Sequence, residues 1–462
     1  MELPGVFLEA MRKELGSEFS DFMASYGSGP WRGLRWNRRK LRKTAAEAYC
    51  GENGKRISET GDGAPVEWCS RGIGVPAESG EVFNWGRLPL HFAGAYYIQE
   101  PSAMLPAELL GVRPGERVLD LCAAPGGKST QLIDAMEDRG LLVANDISAS
   151  RGRAVVKNLE RFGAGHVLVT AETPKRLTES FGGYFDRILA DVPCSGEGMF
   201  RREPAMCREW KEKGPDFYRP LQREILAEAV KMLRPGGYLV YSTCTFNRME
   251  NEENTEWLLK TFPDFRLVTQ QKIWPHRFRG EGQYAALLMM GEREEAAEDN
   301  GFRGGVRAKT DRNHGWGNFR TEKYGAVRDF FALTGGVSWQ TENWYEREGR
   351  LYELPADIRE HRGLRFLRTG LLLGECSRGR FEPSQALAMY LTGEQFANTV
   401  NFEPEDERVV RYLKGETIEA EGVTSRGGDG WCLVLVAGLP LGWARRKGST
   451  LKNKYAPGWR MQ

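Results

Sequence analysis

Metal-binding and disulfide patterns are missing from this sequence. Only 5 of the 462 residues are histidine, and the 8 cysteines are scattered without a C-x-x-C pair. Zinc ribbons and disulfide frameworks require closely spaced ligands or paired cysteines, so we predict neither, and we expect no bound metal. Most of the thiols are expected to be small buried apolar residues, and any reactive ones to act as nucleophiles.

Long apolar runs are also missing. No stretch approaches the roughly 18 consecutive apolar residues that are needed to cross a bilayer. The first residues, MELPGVFLEAMRKELG, contain acids and no apolar secretory core. We therefore expect a cytoplasmic protein with no membrane partner. The apolar content of 40% and the charged content of 28% are typical of a globular protein.

Acidic residues are missing from two segments, 23–45 and 442–462, although the net charge of the whole chain is only +2. The basic residues are Arg32, Arg35, Arg38, Arg39, Lys40, Arg42 and Lys43 in the first segment, and Arg445, Arg446, Lys447, Lys452, Lys454 and Arg460 in the second. Two tryptophans accompany each group, Trp31 and Trp36 in the first, Trp443 and Trp459 in the second. Such interleaving suits the phosphate backbone of a nucleic acid with unstacked bases. The alternative is two solvated faces with ordinary core aromatics.

The length of 462 residues predicts two to four domains. In the middle of the chain, short apolar runs alternate with helical patterns, which is typical of a parallel α/β sheet. The predicted strands are 118–121, 141–144, 166–170, 187–190 and 238–242, with 285–290 closing the sheet as an edge strand. The predicted domains are an N-terminal RNA-binding extension (1–91), the sheet-containing core (92–291), a linker (292–324), a small intermediate module (325–391) and a β-rich C-terminal domain (392–462).

A nucleotide site is predicted where the first strand ends, in the sequence VLDLCAAPGGKST. Asp120 ends the strand, and Gly126 and Gly127 allow the backbone to pass close to a ligand. Asp146 ends the second strand, where an acid accepts hydrogen bonds from ribose hydroxyls in Rossmann-type sites. The turn is neither G-x-G-x-x-G nor a P-loop. These features favour a nucleoside cofactor without phosphate.

Two cysteines follow neighbouring strands of this sheet. Cys194 lies in ADVPCSGEGMF after the fourth strand, and Cys244 lies in YSTCTFNRMENEEN after the fifth. Ligands of open α/β sheets bind beyond the carboxyl ends of the strands, so both thiols should lie above one cleft. Methylation of carbon 5 of cytosine needs a thiolate that adds to carbon 6 and later leaves. Asp191 is the candidate acid for ring atom N3. The alternative is that both cysteines are inert packing residues.

The motifs LDLCAAPGGKSTQL, DVPCSGEGMF and YSTCTFNRMENEEN, preceded by YIQEPSAMLPAELL, resemble those of the Nop/Sun family of RNA (cytosine-5-)methyltransferases. The resemblance implies a Rossmann-like core that uses S-adenosylmethionine. It also implies that Cys244 attacks the base and that Cys194 releases the product. The implied cofactor-binding residues are Cys122, Ala123, Ala124, Pro125, Gly126, Gly127, Lys128, Asp146, Glu172 and Asp191.

The ending LPLGWARRKGSTLKNKYAPGWRM and the N-terminal extension resemble the bacterial RsmF-type branch of this family. That branch implies 16S ribosomal RNA, or the small subunit itself, as the substrate, and a PUA-like RNA-binding domain at 392–462. We expect a monomer without a DNA partner. The alternatives are a tRNA cytosine-5 methyltransferase, an enzyme of the same fold that methylates nitrogen, and a non-catalytic ribosome-assembly protein. The pair Cys194 and Cys244 argues against the last two.

Overall fold

The computed structural model describes residues 3–42, 63–76, 85–292, 324–355 and 363–462. Almost all of the predicted linker, 292–324, and Lys43 of the first basic segment lie outside these residues. Within the described ranges, no helix is long and apolar enough to span a membrane. In the same ranges, no three His, Cys, Asp or Glu side chains are grouped so that they could hold a metal ion.

The N-terminal region folds around a small antiparallel sheet. Its elements are α1 (Gly5–Leu15), α2 (Phe19–Ser25), β1 (Trp31–Trp36), α3 (Arg38–Leu41), β2 (Ala64–Val66), β3 (Cys69–Pro76), α4 (Pro89–Phe92) and β4 (Tyr96–Ile98). The strand order is β2-β3-β1-β4. The strand β1 pairs antiparallel with both β3 and β4.

The central region alternates strands and helices, as the sequence predicts. Its elements are α5 (Leu105–Leu110), β5 (Arg117–Asp120), α6 (Gly127–Ala135), β6 (Leu141–Asn145), α7 (Ala149–Phe162), β7 (Val167–Thr170), α8 (Pro174–Phe181), β8 (Phe185–Asp191), α9 (Met206–Glu212), α10 (Pro215–Met232), β9 (Leu233–Thr243), α11 (Glu252–Thr261), β10 (Phe265–Ile273) and β11 (Gln283–Met290).

The C-terminal region is rich in strands. Its elements are α12 (Gly325–Phe331), β12 (Trp344–Arg347), β13 (Arg350–Glu353), β14 (Phe366–Thr369), β15 (Leu371–Ser377), β16 (Arg380–Pro383), α13 (Gln385–Tyr390), β17 (Thr399–Phe402), α14 (Glu407–Leu413), β18 (Ile418–Glu419), β19 (Thr424–Arg426), β20 (Gly430–Val436), β21 (Leu439–Lys447) and β22 (Thr450–Asn453). They form a four-stranded sheet, β12-β13-β15-β16, and a six-stranded sheet, β18-β22-β21-β20-β17-β19.

The central sheet has the order β10-β11-β9-β8-β5-β6-β7-β14. The five strands from β9 to β7 are parallel. From β5 the chain first moves outward through β6 and β7, and then returns to add β8 and β9 on the other side. The strand order therefore reverses between β5 and β8. Open α/β sheets bind their ligands at the carboxyl ends of the strands beside such a switch point.

The prediction that 285–290 forms an edge strand is wrong. The strand β11 lies inside the sheet, where it pairs antiparallel with both β9 and β10. The edge strand is β10, whose middle residues are exposed. At the opposite edge, β14 from the C-terminal region pairs antiparallel with β7. The sheet is thus extended on both sides of the predicted parallel core.

The helix α7 illustrates how the sequence specifies the core. The Ser148 hydroxyl accepts a hydrogen bond from the Arg151 amide and caps the amino end of the helix. The buried residues Val155, Leu159 and Phe162 are spaced by three and four positions, so they share one face. Gly152 also faces inward, and a Cβ there would lie 2.5 Å from a methyl carbon of Leu367. This glycine allows the segment that carries β14 to lie directly against the helix.

The N-terminal and C-terminal regions share one hydrophobic core. The cluster that contains Leu34 and Tyr96 also contains Val400, Tyr412 and Leu441, all almost completely buried. Such a shared core couples the stability of the two regions, because each buries apolar surface of the other. The ends of the chain therefore form one packed body around the central sheet.

Candidate active site

The strand β5 ends at Asp120, whose carboxylate is fully buried. The Ser129 hydroxyl donates to its Oδ2 atom at 2.6 Å. The Oδ1 atom has no hydrogen-bond partner among the described residues. Burial raises the pKa of Asp120 to about 7. A buried acceptor without a partner is costly in a native protein, so this atom points to a ligand donor.

The turn from 121 to 126 brings the backbone close to α7. Gly126 has a φ angle of 109°, which favours glycine, and a Cβ there would lie 3.3 Å from the Cα atom of Val155. Asp146 is placed by the end of β6. Its Oδ1 atom accepts a hydrogen bond from the Ser148 amide at 2.9 Å, and its Oδ2 atom lies 3.4 Å from the Arg151 guanidinium. Asp120, the glycine turn and Asp146 therefore lie together at the carboxyl ends of β5 and β6, as predicted.

Lys128, which follows the glycine turn, forms an ion pair with Asp191. The distance from Nζ to Oδ2 is 2.7 Å, and both side chains are mostly buried. Burial acts to lower the pKa of Lys128, but the charge and hydrogen bond of Asp191 raise it above its ordinary value. The Oδ1 atom of Asp191 accepts hydrogen bonds from the Ser242 hydroxyl at 2.6 Å and the Gln283 amide at 3.1 Å. The carboxylate is thus fixed by three donors from three elements.

The structure brings Cys194 and Cys244 together. Their sulfur atoms lie 3.3 Å apart, although 50 residues separate them in the sequence. The Cys244 amide also donates to the sulfur of Cys194 at 3.3 Å. The hydrogen bond with Cys244, together with burial, raises the pKa of Cys194 well above its ordinary value. Two neighbouring sulfur atoms cannot both carry a full charge, so the pair retains one proton.

Two buried glutamates hold the loops that carry these thiols, and sequence reasoning missed both. Glu197, in the loop after Cys194, accepts hydrogen bonds from the amides of Phe246 at 3.0 Å and Asn247 at 2.8 Å. Those amides follow Cys244 closely. The Trp210 indole donates to the other oxygen atom of Glu197 at 3.1 Å. The loop of one cysteine therefore fixes the backbone that carries the other.

Glu250 makes the reciprocal connection. One oxygen atom accepts hydrogen bonds from the Ser195 amide at 3.0 Å and the Gln222 side chain at 2.7 Å. The other accepts one from the Asn247 side chain at 2.8 Å. Glu250 is fully buried, and burial raises its pKa. Both glutamates lie within the motifs quoted above. Their burial could not be predicted from the sequence, because an acid in a loop is usually exposed.

Glu172 is placed differently from the other predicted cofactor residues. Its carboxylate accepts a hydrogen bond from the Arg365 amide at 2.6 Å. Its backbone is fixed by Asn145, which accepts from the Glu172 amide at 3.0 Å. The side chain therefore anchors the segment that leads into β14. The carboxylate of this predicted cofactor residue therefore already has a hydrogen-bond donor, the Arg365 amide of the C-terminal region.

The first basic segment is partly structural. The buried Arg35 donates to Gln99 at 3.2 Å and to the Thr130 hydroxyl at 2.7 Å, beside the glycine turn. The buried Lys40 donates to the carbonyl groups of Ala93 and Arg161 at 2.8 and 3.0 Å. These two cations hold the N-terminal sheet on the central region, so they are not available to RNA.

The second basic segment also contains both buried and exposed residues. Trp443 and Trp459 are only 1% and 9% exposed, so neither ring can stack on a base. For these two rings the alternative of ordinary core aromatics is correct. The exposed residues of the segment include Arg445, Lys447 and Lys452. The cations, and not the tryptophans, form its surface.

A Rossmann-like sheet with a glycine turn, strand-end acids and a nearby thiol pair defines the methyltransferase class of α/β protein. Family models cover most of the chain. The model described as 16S rRNA methyltransferase RsmB/F matches residues 107–291, and the RsmF N-terminal model matches 3–101. The first C-terminal domain of RsmF matches 329–391, and the RsmF PUA domain matches 399–461.

Curated relatives agree with these models. "Ribosomal RNA small subunit methyltransferase F" of Cronobacter sakazakii is 30% identical, over 98% of this chain and 95% of that protein. The protein of the same name from Escherichia coli strain K12 is 29% identical over the same shares. The chain therefore belongs to the RsmB/F family of 16S rRNA methyltransferases. This confirms the predicted family and its RsmF-type branch.

Solved structures show the same core. A methyltransferase homolog protein from Pyrococcus horikoshii is 27% identical, and the match has a TM-score of 0.52. It covers 62% of this chain and 94% of the Pyrococcus chain. NSun6 from Pyrococcus horikoshii is 20% identical, covers 62% of this chain and 98% of its own, and has a TM-score of 0.53. The second likeness shows the fold alone. The predicted fold, a Rossmann-like core with an N-terminal extension and a PUA-like domain, is confirmed.

Proposed function

We propose that this chain transfers a methyl group from S-adenosylmethionine to carbon 5 of a cytosine in 16S ribosomal RNA, through a covalent bond to Cys244. The observation that carries the proposal is the 3.3 Å separation of the Cys194 and Cys244 sulfur atoms at the ends of neighbouring strands. The names of the relatives and the RsmF PUA domain support a ribosomal RNA substrate. Bisulfite sequencing of 16S RNA from cells with and without the gene tests it. The proposal fails if no cytosine loses its protection when the gene is absent.

The residues at the carboxyl ends of β5 and β6 fit S-adenosylmethionine. The unpartnered Oδ1 atom of Asp120 can accept a hydrogen bond from an ammonium group. Asp146 is an acceptor for ribose hydroxyls at the end of β6, and Gly126 lets the turn pack closely against α7. The residues from Cys122 to Lys128 connect β5 to the first turn of α6 beside these groups. We assign the cofactor to these residues, while Glu172 remains a prediction because its carboxylate binds Arg365.

The thiol pair suits a covalent route. The thiolate of Cys244 adds to carbon 6, the ring electron pair moves toward carbon 5, and carbon 5 then forms the new carbon–carbon bond. The methyl group comes from the sulfonium of the bound cofactor. We assign to Lys128 and Asp191, whose side-chain atoms lie 2.7 Å apart, the role of donating a hydrogen bond to ring atom N3 and so stabilising its developing negative charge.

Cys194 acts in the second half of the reaction. Its pKa is high in the free protein chiefly because the Cys244 sulfur lies beside it. Once Cys244 is bonded to carbon 6, that sulfur can no longer carry a negative charge, so the pKa of Cys194 falls. Its thiolate then removes the carbon-5 proton. The electron pair re-forms the ring double bond, and the bond between carbon 6 and Cys244 breaks.

The cofactor affinity should depend on pH through Asp120. The raised pKa of about 7 means that the carboxyl binds a proton at pH 6, and this proton must leave before the carboxylate can accept from an ammonium group. The affinity should therefore strengthen about tenfold between pH 6 and pH 8. Calorimetric titration of S-adenosylmethionine into the full chain measures this. In Asp120→Asn the affinity should be weaker and independent of pH over this range; a pH dependence equal to wild type would exclude Asp120 as its source.

Replacing Glu250 with glutamine should slow methyl transfer. All its hydrogen-bond partners are donors, so a glutamine amide would face at least one of them with another donor. The loop that carries Cys194 should shift, and kcat should fall on the order of 10²-fold. The affinity for S-adenosylmethionine should stay at the wild-type value, because Glu250 does not contact the glycine turn. The exposed Glu256→Gln on α11, the helix that follows this loop, is the matched control. Equal kcat values in the two variants would show that Glu250 does not position the thiol.

A further inference from the structure

A cavity lies outside the thiol site. It has a volume of about 290 Å³ and lies between the hairpin of β2 and β3 and the segment that precedes β11. Its lining includes Val66, Trp68 and Gly74 from the hairpin side, and Arg277, Phe278 and Arg279 from the other. This volume is at the small end of ligand pockets, which is suited to a single base-sized group. Neither the predicted cofactor residues nor the thiol pair contributes to its lining.

The cavity combines aromatic walls with a free cation. The rings of Trp68 and Phe278 pack edge to face, with their centroids 5.9 Å apart. The guanidinium of Arg277 is neutralised by Glu18, with nitrogen–oxygen distances of 2.7 and 2.6 Å. Arg279 is exposed and forms no ion pair with any residue that the structure describes; its guanidinium lies 5.8 Å from the centroid of the Trp31 ring.

The acid nearest to this cation within the lining is Glu67, which is also exposed. The rim is therefore mixed in charge. Glu18 neutralises Arg277, Glu67 is a second acid, and Arg279 is the cation that is free to bind an anion. Aromatic rings beside an unpaired arginine are the pattern by which proteins hold a base and its phosphate. The chemistry of the cavity therefore matches an unpaired nucleotide.

The cavity is held at a fixed position relative to the thiols. Glu281 forms a buried ion pair with Arg201 at 2.8 Å and accepts a hydrogen bond from the Trp31 amide at 2.7 Å. One carboxylate of the segment before β11 therefore binds both β1, which pairs with β3, and the chain that follows Cys194. A Cβ on Gly198 would lie 3.0 Å from the carbonyl oxygen of Gly282. The Gly198 amide donates to the carbonyl of Cys244 at 2.9 Å.

The chain from Arg279 to Gly282 spans at most about 11 Å, because three residues extend no further. Gly282 in turn packs against the backbone that is hydrogen-bonded to Cys244. The opening beside Arg279 is therefore within reach of an RNA strand whose target base lies at the thiols.

We propose that this cavity binds an unpaired nucleotide of the substrate RNA, close in sequence to the target cytosine. The base packs against Trp68 and Phe278, and its phosphate binds Arg279. The proposal rests on the proposed function, since it takes RNA as the substrate. A site that holds a neighbouring nucleotide would fix the register of the strand and so contribute to the choice of cytosine.

Arg279→Gln in the full chain tests the phosphate contact. Methyl transfer to 16S RNA transcribed in vitro should show a KM for RNA about tenfold higher, with kcat and the KM for S-adenosylmethionine unchanged. The slope of log affinity against log salt should fall by about 0.7, the value for one contact to a single strand. Arg113→Gln is the matched control, because Arg113 is equally exposed but lies before the amino end of β5, away from the carboxyl-end cleft.

Phe278→Leu tests the base contact separately. It removes the ring and keeps an apolar side chain, and it should raise the KM for RNA without changing the salt slope. Melting temperatures close to wild type identify variants that have kept their fold. An unchanged KM and salt slope in Arg279→Gln would overturn the proposal. Loss of affinity for assembled small subunits, but not for RNA alone, would also overturn it and indicate a protein partner at this cavity.

Failure of the proposed function gives a different result. If the wild-type chain methylates no cytosine, the affinity of Arg279→Gln for a single-stranded oligoribonucleotide still tests the cavity by filter binding. A wild-type affinity and salt slope in that assay would exclude the nucleotide site. Weaker binding with the reduced slope would support the site even though the assigned reaction had failed.

Discussion

Replacing Cys244 with alanine is expected to abolish methyl transfer to RNA, with a loss in kcat on the order of 10⁴-fold or more. Carbon 5 of cytosine is a poor nucleophile until a thiolate has added to carbon 6, and the variant has no thiol at the end of β9 to make this bond. Cys194, with its sulfur 3.3 Å away, is held on a different loop and cannot take the same position. Transfer of a labelled methyl group from S-adenosylmethionine to 16S RNA measures the loss.

The control for this variant is Cys376→Ala, which removes another partly exposed thiol in the C-terminal region. It should leave kcat unchanged. Cofactor affinity should also remain at the wild-type value in Cys244→Ala, because the glycine turn is untouched. Full activity of Cys244→Ala would refute the assignment of the attacking thiol.

Replacing Cys194 with alanine is expected to trap the protein on its substrate. The first half of the reaction needs only the thiolate of Cys244, so the bond to carbon 6 still forms and carbon 5 is still methylated. Without the base that removes the carbon-5 proton, release should slow on the order of 10²- to 10⁴-fold. A protein–RNA band that survives denaturing electrophoresis measures the adduct.

The double variant in which both cysteines are alanine is the control for this adduct, since it should give no such band. If Cys244→Ala forms the stable band and Cys194→Ala does not, the roles of the two thiols are reversed. Formation of the band in both single variants would mean that either thiol can attack.

The meeting of the two thiols could be predicted from the sequence, because the carboxyl ends of adjacent parallel strands lie at one edge of a sheet. Which thiol attacks could not be predicted in this way, since Cys194 and Cys244 occupy equivalent strand ends. That distinction came from the family resemblance. The 3.3 Å contact between the sulfur atoms does not distinguish them either, because a charge on one raises the cost of a charge on the other.

The parts of the fold that could not be predicted depend on contacts distant in the sequence. The strand β10 is mostly polar and exposed, so it lacks the apolar alternation by which strands are recognised, and the sequence therefore predicts β11 as the edge strand. The pairing of β14 with β7 is made by backbone groups, which leave no side-chain pattern. Glu250 and Arg35 have the residue types of exposed loops and surfaces, and only the fold shows that they are buried.

The shared core also affects how RNA binding by the C-terminal domain should be tested. Deleting 392–462 would remove Val400, Tyr412 and Leu441 from the cluster that includes Leu34 of the N-terminal sheet. The truncated protein would expose this apolar surface and lose stability for reasons unrelated to RNA. Substitution of the exposed Lys447 and Lys452 by glutamine separates the two effects. These variants should keep the wild-type melting temperature while their affinity for RNA falls.

The central claim is that the product is 5-methylcytosine, formed through the pair Cys194 and Cys244. The most direct measurement is to incubate the full chain with unmodified 16S RNA and methyl-labelled S-adenosylmethionine, digest the RNA to nucleosides and identify the labelled one by mass spectrometry. We expect label in 5-methylcytidine, and none when Cys244→Ala replaces the wild-type protein. Label in a nitrogen-methylated nucleoside, or in 5-methylcytidine made by Cys244→Ala, would contradict it.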